Sequence, residues 1–432
     1  MTNAAPAGAA PRSTARLPIA ITVAITVAAA LLAACGGEER DATSAAAARG
    51  EGLLRVDSIA SPAAPGSTEP NLAVGPDGRG WLTWMEPTAD SGWALRVAAR
   101  EGDGWTPPRT IVEGRDFFLN WADFPSLAVL GEDRLAAHWL ERSGPGKYSY
   151  DVRIALSHDG GATWTRGVVP HRDGTESEHG FASLWPDSAG VAAVWLDGRK
   201  YARAGDEAGK EMMLVHTVLD SAGRRGPEVR LDKRICDCCQ TSVARTSRGP
   251  IVAYRDRSAD EVRDIHVVRM VEGEWSEPAP VHRDDWRIDY CPVNGPSIAA
   301  AGEHVVVAWF SAPGDTARVQ VAFSEDAGAT FGEPARVDEG SPAGRVGVVL
   351  LPSGDALVSW IERTTRGAEV RLRRIRVDGE PGTPITVGTS SADRASGFPR
   401  LAVAGRELLA AWTVPGSPST VRVARAALGG GT

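Results

Sequence analysis

The chain has 432 residues and carries 47 Lys and Arg against 55 Asp and Glu, a formal net charge of −8. An acidic balance with no basic run excludes the electrostatic footprint of a nucleic-acid-binding protein. Length alone leaves room for one or two folded units beyond the N-terminal segment.

That segment reads as an address. Arg12 and Arg16 supply a short basic start, Leu17 to Ala34 is an apolar run, and Leu32-Ala33-Ala34-Cys35 closes it. A basic start, an apolar stretch and small residues at the cleavage point make a secretory signal. Leu-Ala-Ala before Cys resembles the bacterial lipobox. The resemblance implies that residues 1–34 are removed and that a lipidated Cys35 anchors the chain to a membrane. The alternative is a plain spanning helix with an incidental Cys, but the run is slightly shorter than the ~20 residues a span needs. Gly36 stands where some bacterial lipoproteins carry an Asp that retains them at the inner membrane. This favours the outer membrane of the cell envelope, on its periplasmic or surface side. Residues 35–51 lack periodicity and read as a flexible tether.

From residue 52 to residue 428 one pattern recurs. A short apolar strand ends in an aromatic residue at Trp84, Trp139, Trp195, Tyr254, Trp309, Trp360 and Trp412. The seven copies are spaced by roughly 50 to 60 residues, and long repeats of this kind mark repeat architectures. Each copy follows a short strand such as Pro125-Ser126-Leu127-Ala128-Val129 and a turn such as Gly75-Pro76-Asp77-Gly78. An alternating strand such as Val152-Arg153-Ile154-Ala155-Leu156 comes next, and a more polar strand such as Ala335-Arg336-Val337-Asp338 closes the unit. Four-stranded units repeated radially are propeller blades. The expectation is an all-β, single-domain β-propeller of four-stranded antiparallel blades, seven in number, with six as the alternative. The last unit offers only three strands, and Leu54-Arg55-Val56-Asp57-Ser58-Ile59 is the missing fourth. An N-terminal strand in the last blade would close the ring and remove an exposed edge.

Two octapeptides fall at the turn after the third strand: Ser157-His158-Asp159-Gly160-Gly161-Ala162-Thr163-Trp164 and Ser324-Glu325-Asp326-Ala327-Gly328-Ala329-Thr330-Phe331. Their physical logic is that of a turn. The Asp side chain accepts backbone N–H groups, Gly permits the reversal and the aromatic packs inward. The pattern resembles the Asp box of the sialidase-like, bacterial-neuraminidase-repeat propellers. Ser157, Asp159, Gly161 and Trp164, with Ser324, Asp326, Gly328 and Phe331, hold the matching positions. The resemblance covers the propeller and implies its fold. Sialidases cut terminal sialic acids with three arginines, a Tyr–Glu nucleophile pair and an acidic proton shuttle. Their early Phe/Tyr-Arg-Ile-Pro motif has no counterpart at the start of this propeller, so the arginine trio is not carried onto this chain and enzymatic activity stays open.

If the first strand of each blade is innermost, the loops entering it share a face with the loops after the aromatic-ended strand. That face collects acids two positions after the aromatic (Glu86, Glu141, Asp197, Asp256, Glu362), each near a basic residue such as Arg142, Arg199, Arg257 or Arg363. It also collects Asp123, His179, Asn294 and Asp393 at strand entries, and an insertion with Arg199, Lys200, Tyr201 and Arg203. The acids read either as inter-blade salt bridges or as a charged cup at a channel mouth. In the second reading paired carboxylates could do glycosidic acid–base work, and Tyr254, Arg255, Asp256 and Tyr290 are the candidate catalytic residues.

Four cysteines reach the same face: Cys236, Cys238, Cys239 and Cys291. Aligning neighbouring inner strands puts Cys236 opposite Cys291. An exported chain with an even count favours one disulfide across two blades, from Cys291 to one of the triplet. That leaves two close thiols in awkward geometry for a second bond. The other reading is a soft-metal site, copper or zinc, held by Cys236, Cys238, Cys239 and Cys291 with His179. The expected function is recognition of a ligand, a glycan or an envelope protein, by a monomeric, lipid-anchored propeller. The alternatives are a glycoside hydrolase of exo-sialidase type and a copper- or zinc-binding envelope protein.

Overall fold

A computed structural model describes residues 54–202 and 211–428. The expected signal, the lipidation site Cys35, the tether and Arg203 lie outside the described residues. Seven antiparallel sheets form a seven-bladed propeller. Blades 1 to 6 run inside to outside in chain order. The innermost strands are Thr68–Val74, Ser126–Val129, His179–Pro186, Ser242–Thr246, Ser297–Ala301, Pro342–Leu350 and Arg400–Ala404, in blades 1 to 7. Each pairs with the aromatic-ended strand that follows it. Blade 2 has three strands, and its fourth is reduced to one bridge, Ile154 to Val168.

The ring closes as its ends predict. Val56–Ile59 pairs antiparallel with Thr420–Ala427, from Val56 opposite Ala426 to Ile59 opposite Val423. The N-terminal strand therefore finishes blade 7 and leaves no open edge there. Polar groups on the inner strands stitch neighbouring blades together. Arg400 Nε donates to Asn71 Oδ1 (3.0 Å) and Asn71 Nδ2 to the Pro125 carbonyl (3.0 Å). Ser183 Oγ donates to the Thr241 carbonyl (3.0 Å), and Ile298 N–H and Val348 N–H donate to Ser242 Oγ and Ser297 Oγ.

The repeated aromatic has one job. Trp139, Trp195, Tyr254, Trp309, Trp360 and Trp412 each pack into the apolar cluster shared with the preceding blade, and Trp84 packs against blade 7. Burying an indole strands its N–H, which needs an acceptor. The acid two residues on supplies it. Trp84, Trp195 and Trp360 donate to Glu86 (2.8 Å), Asp197 (2.9 Å) and Glu362 (2.6 Å), and Trp139 reaches Glu141 at 3.4 Å. Residues two apart on a strand share a face, so the pairing is local. For Glu86 and Glu141 this corrects the inter-blade salt-bridge reading, whereas Asp197 does pair with its neighbour Arg199 at 2.6 Å, and Arg199 also approaches Asp173 of the blade 2 segment at 3.5 Å. The cations on Glu86 and Glu141 are Arg96 and Arg153, from the next strand of the same blade, rather than sequence neighbours. Arg142 instead lies over the Phe118 ring and Arg363 donates to the Pro342 carbonyl.

The two Asp boxes are superimposable in their bonding. Ser157 Oγ accepts from Gly161 N–H (2.9 Å) and donates to Asp159 (2.9 Å), and Asp159 accepts from Thr163 N–H (2.8 Å) and hydroxyl (2.6 Å). Ser324, Asp326, Gly328 and Thr330 repeat the set at 2.9, 2.8, 2.9 and 2.7 Å. The Thr163 hydroxyl and backbone hold the Asp159 carboxyl down at about 2. Gly328 has φ +81°, and a Cβ there would come within 2.2 Å of Ile251 Cδ1 in the preceding blade. Both boxes sit at the end of the propeller opposite the strand entries, as turn structures.

Replacing Trp360 by Phe keeps an aromatic in the seam but leaves Glu362 Oε2, buried with its residue, without its indole donor. The loss should cost about 1–3 kcal/mol, measured by chemical denaturation, with the β-rich circular dichroism spectrum unchanged.

Candidate functional site

The strand entries converge on one mouth of a central cavity of about 380 Å³, lined by residues that include Asp123, Phe124, Phe181, Gln240 and Arg400. The segment Trp121–Phe124 crosses that mouth. Ala122 accepts a hydrogen bond from Gln240 of the blade 4 entry. Trp121 stacks on Phe398 (5.9 Å) and lies under the Arg345 guanidinium (4.8 Å), and Phe124 lies under Arg400 (4.9 Å).

Beside this plug four groups meet. Tyr150, first residue of the third strand of blade 2, is fully buried and stacked on Phe118 at 3.9 Å. Its hydroxyl is 3.0 Å from Asp123 Oδ2 and 2.8 Å from Glu178 Oε1. Asp123 Oδ1 accepts from Phe181 N–H (2.7 Å). Glu69, in the bulged inner strand of blade 1 at φ +52°, is buried close enough to Asp123 for their charges to repel. Burial, then mutual repulsion, raises these acids. Glu69 and Glu178 are pushed up to about 8, and burial pushes Asp123 to about 7. A phenol carries one proton, so a Tyr150 hydroxyl between two carboxyl groups requires a second proton on one of them. Glu178 keeps an exposed edge, whereas Asp123 is 2% exposed. Gly180 makes the arrangement possible, since a Cβ there would lie 2.1 Å from Asp123 Oδ2 and 2.7 Å from the Tyr150 ring.

The residues singled out in the sequence do not gather as one catalytic set. Tyr254 is buried and donates to Asp232 (2.6 Å). Arg255 donates to the carbonyls of Asn294, Arg263 and Phe310. Asp256 is raised to about 7 by burial and by Asp232. Tyr290 stands 72% exposed, and no ring contact joins it to Tyr254. Asp123 lines the cavity, and Tyr201 lies within electrostatic reach of Glu178. Asp237 lies beside Tyr201 and Glu178, and Arg257 bridges Asp237 (3.1 Å) and Glu261 (2.9 Å). Glu69, Tyr150 and Glu178 were not singled out. Tyr150 follows the alternation of a core strand, and the entry positions of Asp123 and of His179, next to Glu178, were what pointed at this corner.

The cysteines divide. Cys238 and Cys291 form a disulfide with Cα atoms 6.2 Å apart, whereas strand alignment placed Cys236 opposite Cys291. Cys236 and Cys239 are buried free thiols with sulfurs 3.5 Å apart. Burial works against ionising Cys236, but the Cys239 thiol, Arg263 and Arg255 together hold it below the usual thiol range. With two sulfurs committed to the bridge, two remain for a soft metal. His179 is not among the groups that could share an ion with the cysteines; it lies among Asp151, His171, Asp173 and Asp197.

No family model matches the chain, and no curated protein matches it. Among solved structures, polysaccharide lyase Uly1 aligns with a TM-score of 0.53 at 11% identity, over 84% of this chain and 90% of its own. The phage phi92 endosialidase gives 0.47 at 11%, over 87% and 69%. The α-L-arabinanase of Penicillium chrysogenum gives 0.46 at 16%, over 84% and 94%. The likeness to the lyase is one of fold, a β-propeller.

Two outcomes are expected. Alkylation of the unfolded chain without reductant should label Cys236 and Cys239 and leave Cys238 and Cys291 joined, as peptide mapping would show. Stability should also fall as pH rises. Glu178 holds its proton up to about pH 8, whereas an ordinary Glu releases it near 4.5, so the folded state binds more protons than the unfolded one across that window. Glu178→Gln, shaped like the protonated acid, should flatten the loss by on the order of 1–3 kcal/mol between about pH 5 and pH 8, read by denaturation at each pH.

Proposed function

We propose that this propeller binds a glycan at the mouth beside the Trp121–Phe124 plug and acts on it with Glu178 as proton donor. The observation that carries the reading is the Tyr150 hydroxyl held between Asp123 and Glu178. Glu178 is the half-buried end of that chain of groups, and it keeps its proton near neutral pH. A carboxylic acid in that state can protonate the leaving oxygen of a glycosidic bond while a water attacks the anomeric carbon, and the proton that water sheds restores the Glu178 carboxyl. Tyr148, on the loop that leads to Tyr150, is 51% exposed, and Tyr290 on the blade 5 entry loop is 72% exposed. Exposed aromatic faces on this side suit the apolar faces of sugar rings.

The charge around the mouth narrows the glycan. Arg255 and Arg345 are occupied by backbone carbonyls, Arg400 by Asn71, and Arg257 by Asp237 and Glu261. With any of these four described arginines, clamping a sialic acid carboxylate would require breaking its existing set. The favoured ligand is therefore a neutral glycan rather than a sialoside. Recognition alone, without turnover, is the reading that survives if Glu178 proves only to bind. The Leu32–Cys35 string alone supports the further proposal that a lipid on Cys35 holds this face in the cell envelope.

The test is a panel of neutral and sialylated glycans, assayed for binding and for release of reducing ends. We expect a neutral glycan to bind. Glu178→Gln should retain binding within severalfold and lose turnover by about 10²-fold or more, the usual worth of a positioned proton donor. Tyr150→Phe should lower turnover less. Turnover that survives Glu178→Gln unchanged, or binding restricted to sialosides, would overturn the reading.

A further inference from the structure

The cysteine cluster is built in two tiers. Cys236-Asp237-Cys238-Cys239 is a tight turn leading toward the inner strand of blade 4, with Cys236 and Cys239 at its two ends. The ends of such a turn lie within about 7 Å, and here the two side chains meet with sulfurs 3.5 Å apart. Cys238, between them, is bonded to Cys291 of the blade 5 entry loop. The turn is held in place from two sides. Cys236 N–H donates to the Arg255 carbonyl (3.0 Å), and Arg257 binds the Asp237 carboxylate (3.1 Å). The dithiol is buried, each residue 1% exposed, whereas both residues of the bridge are half-buried.

The tiers are in reach of one another. Cys236 Sγ lies within 4.8 Å of both sulfurs of the bridge. A rotamer change moves a cysteine sulfur by on the order of 3 Å, enough to close that gap or the one to Cys239. Two buried guanidinium groups attend Cys236. Arg263 Nη1 donates to its sulfur (3.3 Å), and Arg255 adds its charge. Glu261 balances Arg263 at 2.8 Å. Arg255 donates to main-chain carbonyls, and among the described residues it has no carboxylate in salt-bridge reach. A buried cation without a counter-charge favours an anion beside it. A cysteine set among arginines supplies one, as the thiolate that attacks disulfides.

We propose that the four cysteines form a dithiol–disulfide relay that reduces an external disulfide. The Cys236 thiolate attacks Cys291, a Cys236–Cys291 bond forms and Cys238 leaves. Attack at Cys291 rather than Cys238 avoids the awkward bond between residues one apart. Cys239 then attacks Cys236, a Cys236–Cys239 bond forms and Cys291 leaves. The protons lost by the inner pair end on Cys238 and Cys291. One disulfide has replaced another, so no electron has entered or left. The outer pair, now a dithiol in the half-buried tier, reduces a substrate disulfide to two thiols and returns to the Cys238–Cys291 bridge. The chain then holds two disulfides, and an external dithiol must reduce the inner one before the next turnover. The buried pair is thus a store of two electrons that never meets the substrate. The relay is independent of the glycan reading.

The position of a maleimide label tests the internal step. The native full chain is labelled without reductant, quenched in acid and peptide-mapped. The unfolded chain takes the label on Cys236 and Cys239. In the native chain we expect it on Cys238 and Cys291, with Cys236 and Cys239 joined. Label on the inner pair of the native chain, or no label, overturns the relay. Oxidised glutathione and insulin, each offered in excess to the native chain, test the outward step. We expect one disulfide reduced per chain, with Cys236 and Cys239 joined at the end. Reduction of glutathione, of insulin or of both supports the relay and separates a small substrate from a protein one, and reduction of neither overturns it. Cys236→Ala should lose both the outer label and the reduction, and persistence of either refutes the assignment. The wild-type map decides the question even where that variant does not fold.

Discussion

A single blade is a sheet with two apolar faces and cannot bury both by itself. Every other feature of this molecule depends on closing the ring that buries them. Six of the seven repeat aromatics pack onto the blade before, and Trp84 of blade 1 has no earlier blade except blade 7. The seam it fills exists only because Val56–Ile59 has crossed the chain termini to complete blade 7. The hydrophobic term is roughly proportional to area removed from water. Opening the ring would re-expose the Trp84 seam and leave the edge of Thr420–Ala427 unpaired at once.

Closure also dictates where chemistry can arise. Each innermost strand enters from the same end, so seven entry segments are forced together around one narrow mouth. Their polar groups are drawn out of water by the packing rather than by a pocket built for them. In blades 1 to 3 the entries bring acids, Glu69, Asp123 and Glu178; burial raises all three, and the charge of Asp123 adds to the rise at Glu69 and Glu178. In blades 6 and 7 they bring Arg345 and Arg400, held over Trp121 and Phe124. The mouth is thus polarised, with proton-holding carboxyls at one side and buried guanidinium groups at the other. The Trp121–Phe124 plug lies between them.

The architecture was legible because it repeats. Seven aromatics at even spacing, two Asp boxes and an orphan first strand carry the ring, its blade number and its closure with no knowledge of contacts. The site was less legible because it depends on directions that strand patterns do not encode. Glu86, Glu141 and Glu362 looked like surface charge near arginines of the same loop, but each faces the indole two residues back, and the arginines on Glu86 and Glu141 come from the next strand. Tyr150 looked like one more core residue, because nothing in an alternating strand says that its hydroxyl emerges between two acids. Cys238 rather than Cys236 bonds Cys291 because the segment before blade 4 does not follow the register of the strand it leads into. His179 was correctly placed at a strand entry, and only the fold shows that it turns toward His171 and away from the sulfurs.

The claim on which the functional account stands is that a carboxyl at the mouth keeps its proton near neutral pH. Carbon-13 NMR of the chain labelled at glutamate carboxyl carbons, followed through a pH titration, measures this directly. The account predicts a resonance that titrates near pH 8 and disappears in Glu178→Gln. Glu69 is held near 8 as well, so the contradicting result is that no resonance titrating near pH 8 is lost in Glu178→Gln; Glu178 is then an ordinary acid and the proton-donor reading falls.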